Sequence, residues 1–389
     1  MFRSGSEKLE VFCGIDQLDT VDRYLRHQRI GLLTTPTGMD KKFKATIDRL
    51  NERYHLRALF APEHGIRGDQ QAGAAIENQK DKKTGLPVYS LYGSHKAPSS
   101  RQLADLDVFV VDLQDVGARF YTYLYSMYYV MESCARSGIP VIILDRPNPL
   151  GGLITEGPLL HASCRSFVGL FPVPARYGLT IGEFAQYINQ TQQLGCPLHI
   201  AKLAGWNRNA CYDDTDLPWI APSPNIPSVD SALTYVGTCL FEGTNVSEGR
   251  GTTKPFELVG APWLNHDKVL AVISQDALAG CHLRPCWYQP VYSKYQNEIC
   301  AGFQIHITDR AAFRPFSAGV ALLDAIRQTH EAFTFRQPEK PDEPWFIDLL
   351  SGNNQIRQPD FYYADYLDKA KEQARQFKSD SSRYWLYKD

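Results

Sequence analysis

Short, strongly apolar runs separated by amphipathic stretches dominate the first half of this sequence. Residues 30–34 (IGLLT), 56–60 (LRALF), 108–112 (VFVVD) and 141–145 (VIILD) are the clearest, and 88–91 (VYSL) is a shorter example. Runs this apolar suit parallel strands covered on both faces. Helix-like segments near 17–28, 39–54, 99–105 and 120–137 lie between them. The alternation predicts an α/β fold with a doubly wound, Rossmann-like parallel sheet. Right-handed crossovers then bring the carboxyl ends of the strands to one edge of the sheet.

Thr180, with Glu183 three residues on, has the pattern of a capped helix start, and 198–201 (LHIA) reads as a further strand. At 219–228 (WIAPSPNIPS) the chain becomes too rich in proline for regular structure. A domain junction is expected there. Residues 1–228 are read as a Rossmann-like catalytic domain, and residues 229–389 as a smaller α+β domain that completes the cleft. Within the latter, 302–307 is strand-like, while 317–333 and 360–378 are helix-like.

Ligands of open parallel sheets bind beyond the carboxyl ends of the strands. The segments that follow the predicted strands are 34–38 (TTPTG), 62–68 (PEHGIRG), 112–119 (DLQDVGAR) and 145–152 (DRPNPLGG). Turns also use Gly, Pro, Asn and Asp, but carboxylates, arginines and amides after several strands at once point to an active site. Glu63 is the leading general acid or base, because Phe60 and Pro62 offer apolar surroundings that raise a carboxyl group's proton affinity. Its alternative role is an ion pair with Arg67 or Arg119. His64 either orients Glu63 or binds substrate. Asp112 and Asp115 are candidates for a second carboxylate or for sugar-hydroxyl binding, with Gln114 and Asn148 beside them. Arg119 and Arg146 suit bidentate recognition of a carboxylate or phosphate, or pairing with a nearby Asp. Past the junction, residues 241–253 (FEGTNVSEGRGTT) mix carboxylates, amide, hydroxyls and arginine. Asn245, Glu248 and Arg250 are the candidates there, and Asn225 is the one in the proline-rich segment.

A net charge of -2 offers no electrostatic footprint for nucleic acid or an anionic membrane. No apolar run approaches the ~18 residues of a membrane helix, and the N-terminal residues lack a secretory pattern, so a cytoplasmic location is expected. The nine cysteines are scattered and odd in number, which reads as buried reduced thiols. No G-x-G-x-x-G follows the first strand, and there is no P-loop, no G-x-S-x-G and no H-E-x-x-H. Neither a cofactor nor a metal is expected. Oligomeric state has no sequence signal.

The segments quoted above, together with 120–123 (FYTY), 156–158 (EGP), 166–169 (SFVG) and 222–225 (PSPN), resemble the NamZ-type exo-β-N-acetylmuramidase family over nearly the whole chain. The resemblance implies a Rossmann-like domain followed by a smaller one. It also implies release of N-acetylmuramic acid from the non-reducing ends of peptidoglycan fragments, with Glu63 as the catalytic glutamate and Asp115, Glu248 or the substrate's own acetamido group in the second role. A small muropeptide or amino-sugar substrate follows. Members often carry Asn at the position of Thr35, and Arg-His-Gly where this chain has Arg176-Tyr177-Gly178. These two departures leave a competing expectation, a non-hydrolytic amino-sugar binding protein that uses the same cleft.

Overall fold

The computed structural model describes residues 7–62, 65–67, 79–93 and 95–388. The apolar runs form β1 (Arg29–Thr34), β2 (His55–Ala61), β4 (Pro87–Ser90), β5 (Val108–Asp112), β6 (Val141–Leu144) and β7 (Leu198–Ala201), with a short β3 (Gln79–Lys80) at the edge. They make one sheet in the order β3-β4-β2-β1-β5-β6-β7. All neighbours are parallel except β3, which runs antiparallel to β4. The predicted doubly wound sheet is therefore what the chain forms. From β1 the order runs outward to β2 and β4, then crosses back to β5, β6 and β7. The switch point lies between β1 and β5, where Thr34 pairs with Asp112.

Alternate residues of each strand enter different cores, as the two-residue period of a strand requires. Ile30, Leu32, Leu59, Val110 and Ile142 pack on one face, against Ile15 and Leu18 of a 3-10 turn, Leu25 of α1 (Asp22–Leu25), and Ile47 and Leu50 of α2 (Thr46–Arg53). Leu33, Phe60, Phe109, Val111 and Ile143 pack on the other. Above this second face, beyond the short α3 (Ser100–Leu103), lie Leu124 and Met127 of α4 (Tyr123–Arg136) and Phe184 and Ile188 of α5 (Ile181–Thr191). The start of α5 is as expected: the Thr180 hydroxyl accepts from the Glu183 backbone, and the Glu183 carboxylate accepts from the Thr180 N–H.

The helix expected over 39–54 begins only at Thr46. Asp40 Oδ1 accepts the N–H groups of Lys42 (2.9 Å) and Lys44 (2.8 Å), holding those donors in a turn. The stretch near 17–28 is divided between the 3-10 turn Gly14–Thr20 and α1.

The rest of the chain forms an antiparallel sheet, β8 (Leu258–Ala261), β9 (Cys281–Tyr288) and β10 (Cys300–Ile307), in the order β8-β10-β9. With it go α6 (Val229–Thr238), α7 (His266–Val272), α8 (Pro315–Thr329), α9 (Phe346–Ser351) and α10 (Tyr363–Ser381). Helices α6 and α8 meet at Gly237 and Gly319, where a Cβ on Gly237 would stand 1.9 Å from the Pro315 carbonyl oxygen. Leu240, Phe241, Phe303 and Phe316 belong to the same core as Phe60 and Phe184, so the two sheets share one hydrophobic body.

Candidate active site

Among the described residues, one part of the crevice at the switch point is narrow. Between Thr37, Gln114 and Arg146 on one side and Tyr212, Leu217 and Pro218 on the other, about 20 Å³ remains, room for a single water. The loops themselves narrow it. Asp112 has no exposed surface and accepts from Arg146 Nε (2.5 Å), Arg146 Nη2 (2.9 Å) and Thr46 Oγ1 (2.5 Å). Arg146 also donates to the Met39 carbonyl at 2.9 Å, tying the loops after β1, β5 and β6 together. Asp112 and Arg146, expected to bind substrate, instead satisfy each other. Thr35 and Thr37 are buried and share a hydrogen bond of 2.7 Å.

Arg119 and Asn148 also depart from the expectation. Arg119 is fully buried and donates to the carbonyls of Pro158 (2.8 Å), Val173 (2.9 Å) and Leu350 (2.8 Å), so it clamps three distant segments and has no face for a ligand. Asn148 donates to the Leu179 carbonyl (2.9 Å) and accepts from the Leu150 N–H (3.0 Å), which makes it a turn residue. Gln114 spends its Nε2 on the carbonyls of Asp115 (2.8 Å) and Pro147 (2.9 Å). Its Oε1 is buried without a partner among the described residues.

Asp115 stands apart from these. Its Oδ2 accepts from the Gly117 N–H at 2.7 Å and from the Tyr177 hydroxyl, while Oδ1 is buried without a partner among the described residues. Burial pushes its carboxyl up to about 7, against the lowering hydrogen bonds from Tyr177 and the Gly117 and Val116 N–H groups. A carboxyl of this kind can hold or release a proton near neutrality.

Glu63 and His64 lie outside the described residues. The chain on either side of them is hydrogen-bonded to neighbouring elements. Ala61 ends β2, and its carbonyl accepts from the Leu91 N–H at 2.8 Å. Gly65 has φ +76°, a left-handed conformation that suits glycine. Arg67 bonds Asp81 at 2.6 Å and Asp48 at 3.0 Å, pinning the far side of the loop to α2 and to the approach to β4. Arg67 is thus an anchor of the chain that follows Glu63 and His64.

The proline-rich segment docks against the loop after β5. The hydroxyls of Tyr121 and Tyr123 both donate to the Pro222 carbonyl at 2.9 Å. Asn225 Oδ1 accepts from the Tyr292 hydroxyl at 2.8 Å. Tyr235 of α6 stands edge-on to Tyr121 and Phe256. Behind these rings, Arg250 pairs with Glu242 at 2.7 Å, with its guanidinium 5.0 Å from the centre of the Phe256 ring. Burial raises the Glu242 carboxyl, partly offset by the Arg250 charge. Glu248 is buried between Lys294 (2.9 Å) and Arg250 (3.6 Å), which removes it as a free second carboxylate. Asn245 is likewise structural: its amide bonds the Ala332 carbonyl (2.7 Å) and the Thr334 N–H (2.9 Å). Arg250 retains an accessible edge, its side chain being 31% exposed. Of these tyrosines, Tyr121 and Tyr123 belong to the FYTY segment quoted from the sequence, while Tyr235 and Tyr292 had no signal there beyond an aromatic content of 12%.

A cavity of about 860 Å³ opens at the other flank, beside the loops after β6 and β7. Its arginines are already engaged, Arg176 with Glu156, Arg208 with Glu183, and Arg310 with Asp213 and Asp230. It lies on the β6–β7 side of the sheet, away from the end of β2. Among the described residues no group of three or more His, Cys, Asp or Glu is arranged to hold a metal ion.

Residues 30–230 match the family model for the N-terminal part of the exo-β-N-acetylmuramidase NamZ, and residues 233–387 match that for its C-terminal part. The chain belongs to the NamZ family. It is 43% identical over 356 residues to the peptidoglycan β-N-acetylmuramidase NamZ of Bacillus subtilis (strain 168), covering 90% of this chain and 84% of that protein. Two crystal structures of DUF1343 family proteins from Bacteroides fragilis NCTC 9343 superpose with TM-scores of 0.88 and 0.78, at 35% and 30% identity. Each alignment covers 98% of this chain, and 100% and 99% of the other.

Proposed function

We propose that this protein is a glycoside hydrolase that releases terminal β-linked N-acetylmuramic acid from the non-reducing end of peptidoglycan-derived fragments, with Glu63 as the proton donor. Family membership supports the reaction. The observation that supports Glu63 is the anchoring of its loop, held by Ala61 to Leu91 on one side and by Arg67 to Asp48 and Asp81 on the other. Glu63 protonates the glycosidic oxygen, the bond from the anomeric carbon to that oxygen breaks, and the leaving sugar departs neutral. Water then adds to the anomeric carbon, and the proton it gives up returns to the Glu63 carboxylate, directly or by way of the group in the second role. For the second role Asp115 is better supported than Glu248, because Asp115 keeps an oxygen without a partner and titrates near neutrality while Glu248 is closed off by two cations. Arg250, with its accessible edge, is the proposed reader of the lactyl carboxylate, and Asn225 with Tyr292 lies on the same side.

The division proposed is residues 1–228 as the catalytic part and 229–389 as the part that completes the cleft, supported by the Tyr292–Asn225 bond and the Tyr121–Tyr235 contact. Among the described residues no helix is long and apolar enough to cross a membrane. Cytoplasmic action on recycled wall fragments is part of the proposal. Nine free thiols, eight of them buried, suit a reducing compartment, and cell fractionation tests it.

Incubation with a chromogenic β-N-acetylmuramide tests the reaction itself. Steady release of the chromophore is expected from the wild type and not from Glu63→Gln. Saturable binding without release would overturn hydrolysis in favour of a sugar-binding protein.

A further inference from the structure

A groove of about 250 Å³ lies between the chain that follows β4 and the first turns of α4. Leu91, Thr122, Tyr125, Ser126, Tyr129 and Phe167 line it. Phe167 is 54% exposed, an unusual place for a phenylalanine on a tight turn. That turn is closed by backbone bonds between Ser166 and Gly169, and the Phe167 ring lies nearly parallel to that of Phe346, with centroids 6.4 Å apart. The SFVG segment thus holds an apolar ring out over the groove.

The groove lies beside the end of β2 and the start of α4. Leu91 bonds the carbonyl of Ala61, two residues before Glu63. Helix α4 begins directly after the loop that carries Asp115. The volume is small beside the roughly 300–1,000 Å³ of pockets for drug-sized ligands. It suits one sugar ring and not a glycan chain or a peptide stem. Among the described residues, Lys96 at the rim is the single charged lining residue and no carboxylate lines the groove. Aromatic faces with a few hydroxyls at their margins match a pyranose, which presents C–H groups on its faces and polar groups at its edge.

We infer that this groove receives the leaving sugar, an uncharged N-acetylhexosamine ring stacked against Phe167. The inference rests on the hydrolase reading above.

The test compares two substrates that share the muramoyl group. One is the disaccharide of N-acetylmuramic acid β-linked to N-acetylglucosamine, and the other is β-N-acetylmuramoyl fluoride, whose leaving group is too small to reach the groove. Phe167→Ala should lower kcat/KM about tenfold more on the disaccharide than on the fluoride, mostly through KM, the scale expected for losing one stacked ring. Ser126→Trp, which fills the groove from α4, should give the same split. Equal losses on both substrates, or no loss on either, would overturn the subsite. Calorimetric binding of methyl β-N-acetylglucosaminide separates the two readings. If the wild type cleaves neither substrate but binds this glycoside and Ser126→Trp does not, hydrolysis fails and the subsite stands. If both proteins bind it equally, the subsite fails.

Discussion

The hydroxyl of Tyr177 donates to Oδ2 of Asp115, and both side chains are buried beneath the loop that follows β5. Tyr177 is a neutral donor, and the carboxyl it meets is the titrating member of the pair. Burial raises the Tyr177 hydroxyl well above its ordinary range, so it stays protonated and keeps donating.

The Asp115 carboxyl gives stability a specific pH dependence. Unfolded, an aspartate ionises near 4, whereas folded Asp115 keeps its proton up to about 7. Between these values the folded state binds more protons, so the contribution of Asp115 to stability falls as pH rises from about 4 to about 7. Asp115→Asn removes that term. Relative to wild type it should gain on the order of a few kcal/mol between pH ~4.5 and pH ~8, read from urea unfolding at both values. Equal offsets at the two values would contradict the assignment.

Removing the donor acts in the opposite sense on the same group. Tyr177→Phe deletes a hydrogen bond that favours the charged carboxylate, so the Asp115 titration should move to higher pH. The limb of the kcat/KM–pH profile that reports Asp115 moves with it. Losing one of the two donors to Oδ2, with the Gly117 N–H left as the other, should also cost about 1–3 kcal/mol of stability above neutrality. An unmoved profile would place Asp115 outside the reaction.

Glu63 is tested through the leaving group. Glu63→Gln should lose about 10²–10⁴-fold in kcat on the disaccharide, the usual contribution of a positioned acid. Fluoride departs without protonation, so the loss on β-N-acetylmuramoyl fluoride should be smaller by at least about tenfold. Identical losses would assign Glu63 a role other than proton donor.

Arg146 and Arg250 should respond in opposite ways. Arg146→Ala leaves Asp112 charged and buried without its partner, and should cost about 3–5 kcal/mol in unfolding measurements with no ligand present. Arg250→Ala should raise KM by at least about tenfold, the scale of a charge-assisted hydrogen bond. A substrate whose lactyl carboxylate is esterified should be insensitive to that change. A stability loss for Arg250→Ala without a KM effect would reverse the distinction.

The strands and their carboxyl edge were legible because runs such as VFVVD and VIILD are buried on both faces, and continuous apolarity is what such burial demands. The antiparallel strand β9 was not legible, since most of its residues are partly or fully exposed and it carries Pro285, so neither apolarity nor alternation marks it. Among the site residues, sequence placed Asp112, Asp115, Arg119 and Arg146 correctly after β5 and β6 but could not apportion their partners. Arg119 is the plainest example. Its acceptors are backbone carbonyls at 158, 173 and 350, and a carbonyl has no sequence signature. Tyr292 and Asn225 meet only because the second sheet folds back over the proline-rich segment, a long-range event that local pattern does not encode.

Asp145, at the end of β6, is bonded by Tyr387, which lies 242 residues further along the chain. Thr180, Gly182 and the Arg146 N–H also donate to it, and burial still pushes its carboxyl up to about 7. During synthesis the sheet can assemble long before Tyr387 emerges, so β6 must first form with this acidic group incompletely satisfied. The loop beside the proposed active site therefore reaches its final arrangement last. A ribosome-stalled chain ending before residue 385 would be a nearly complete molecule with an unfinished edge.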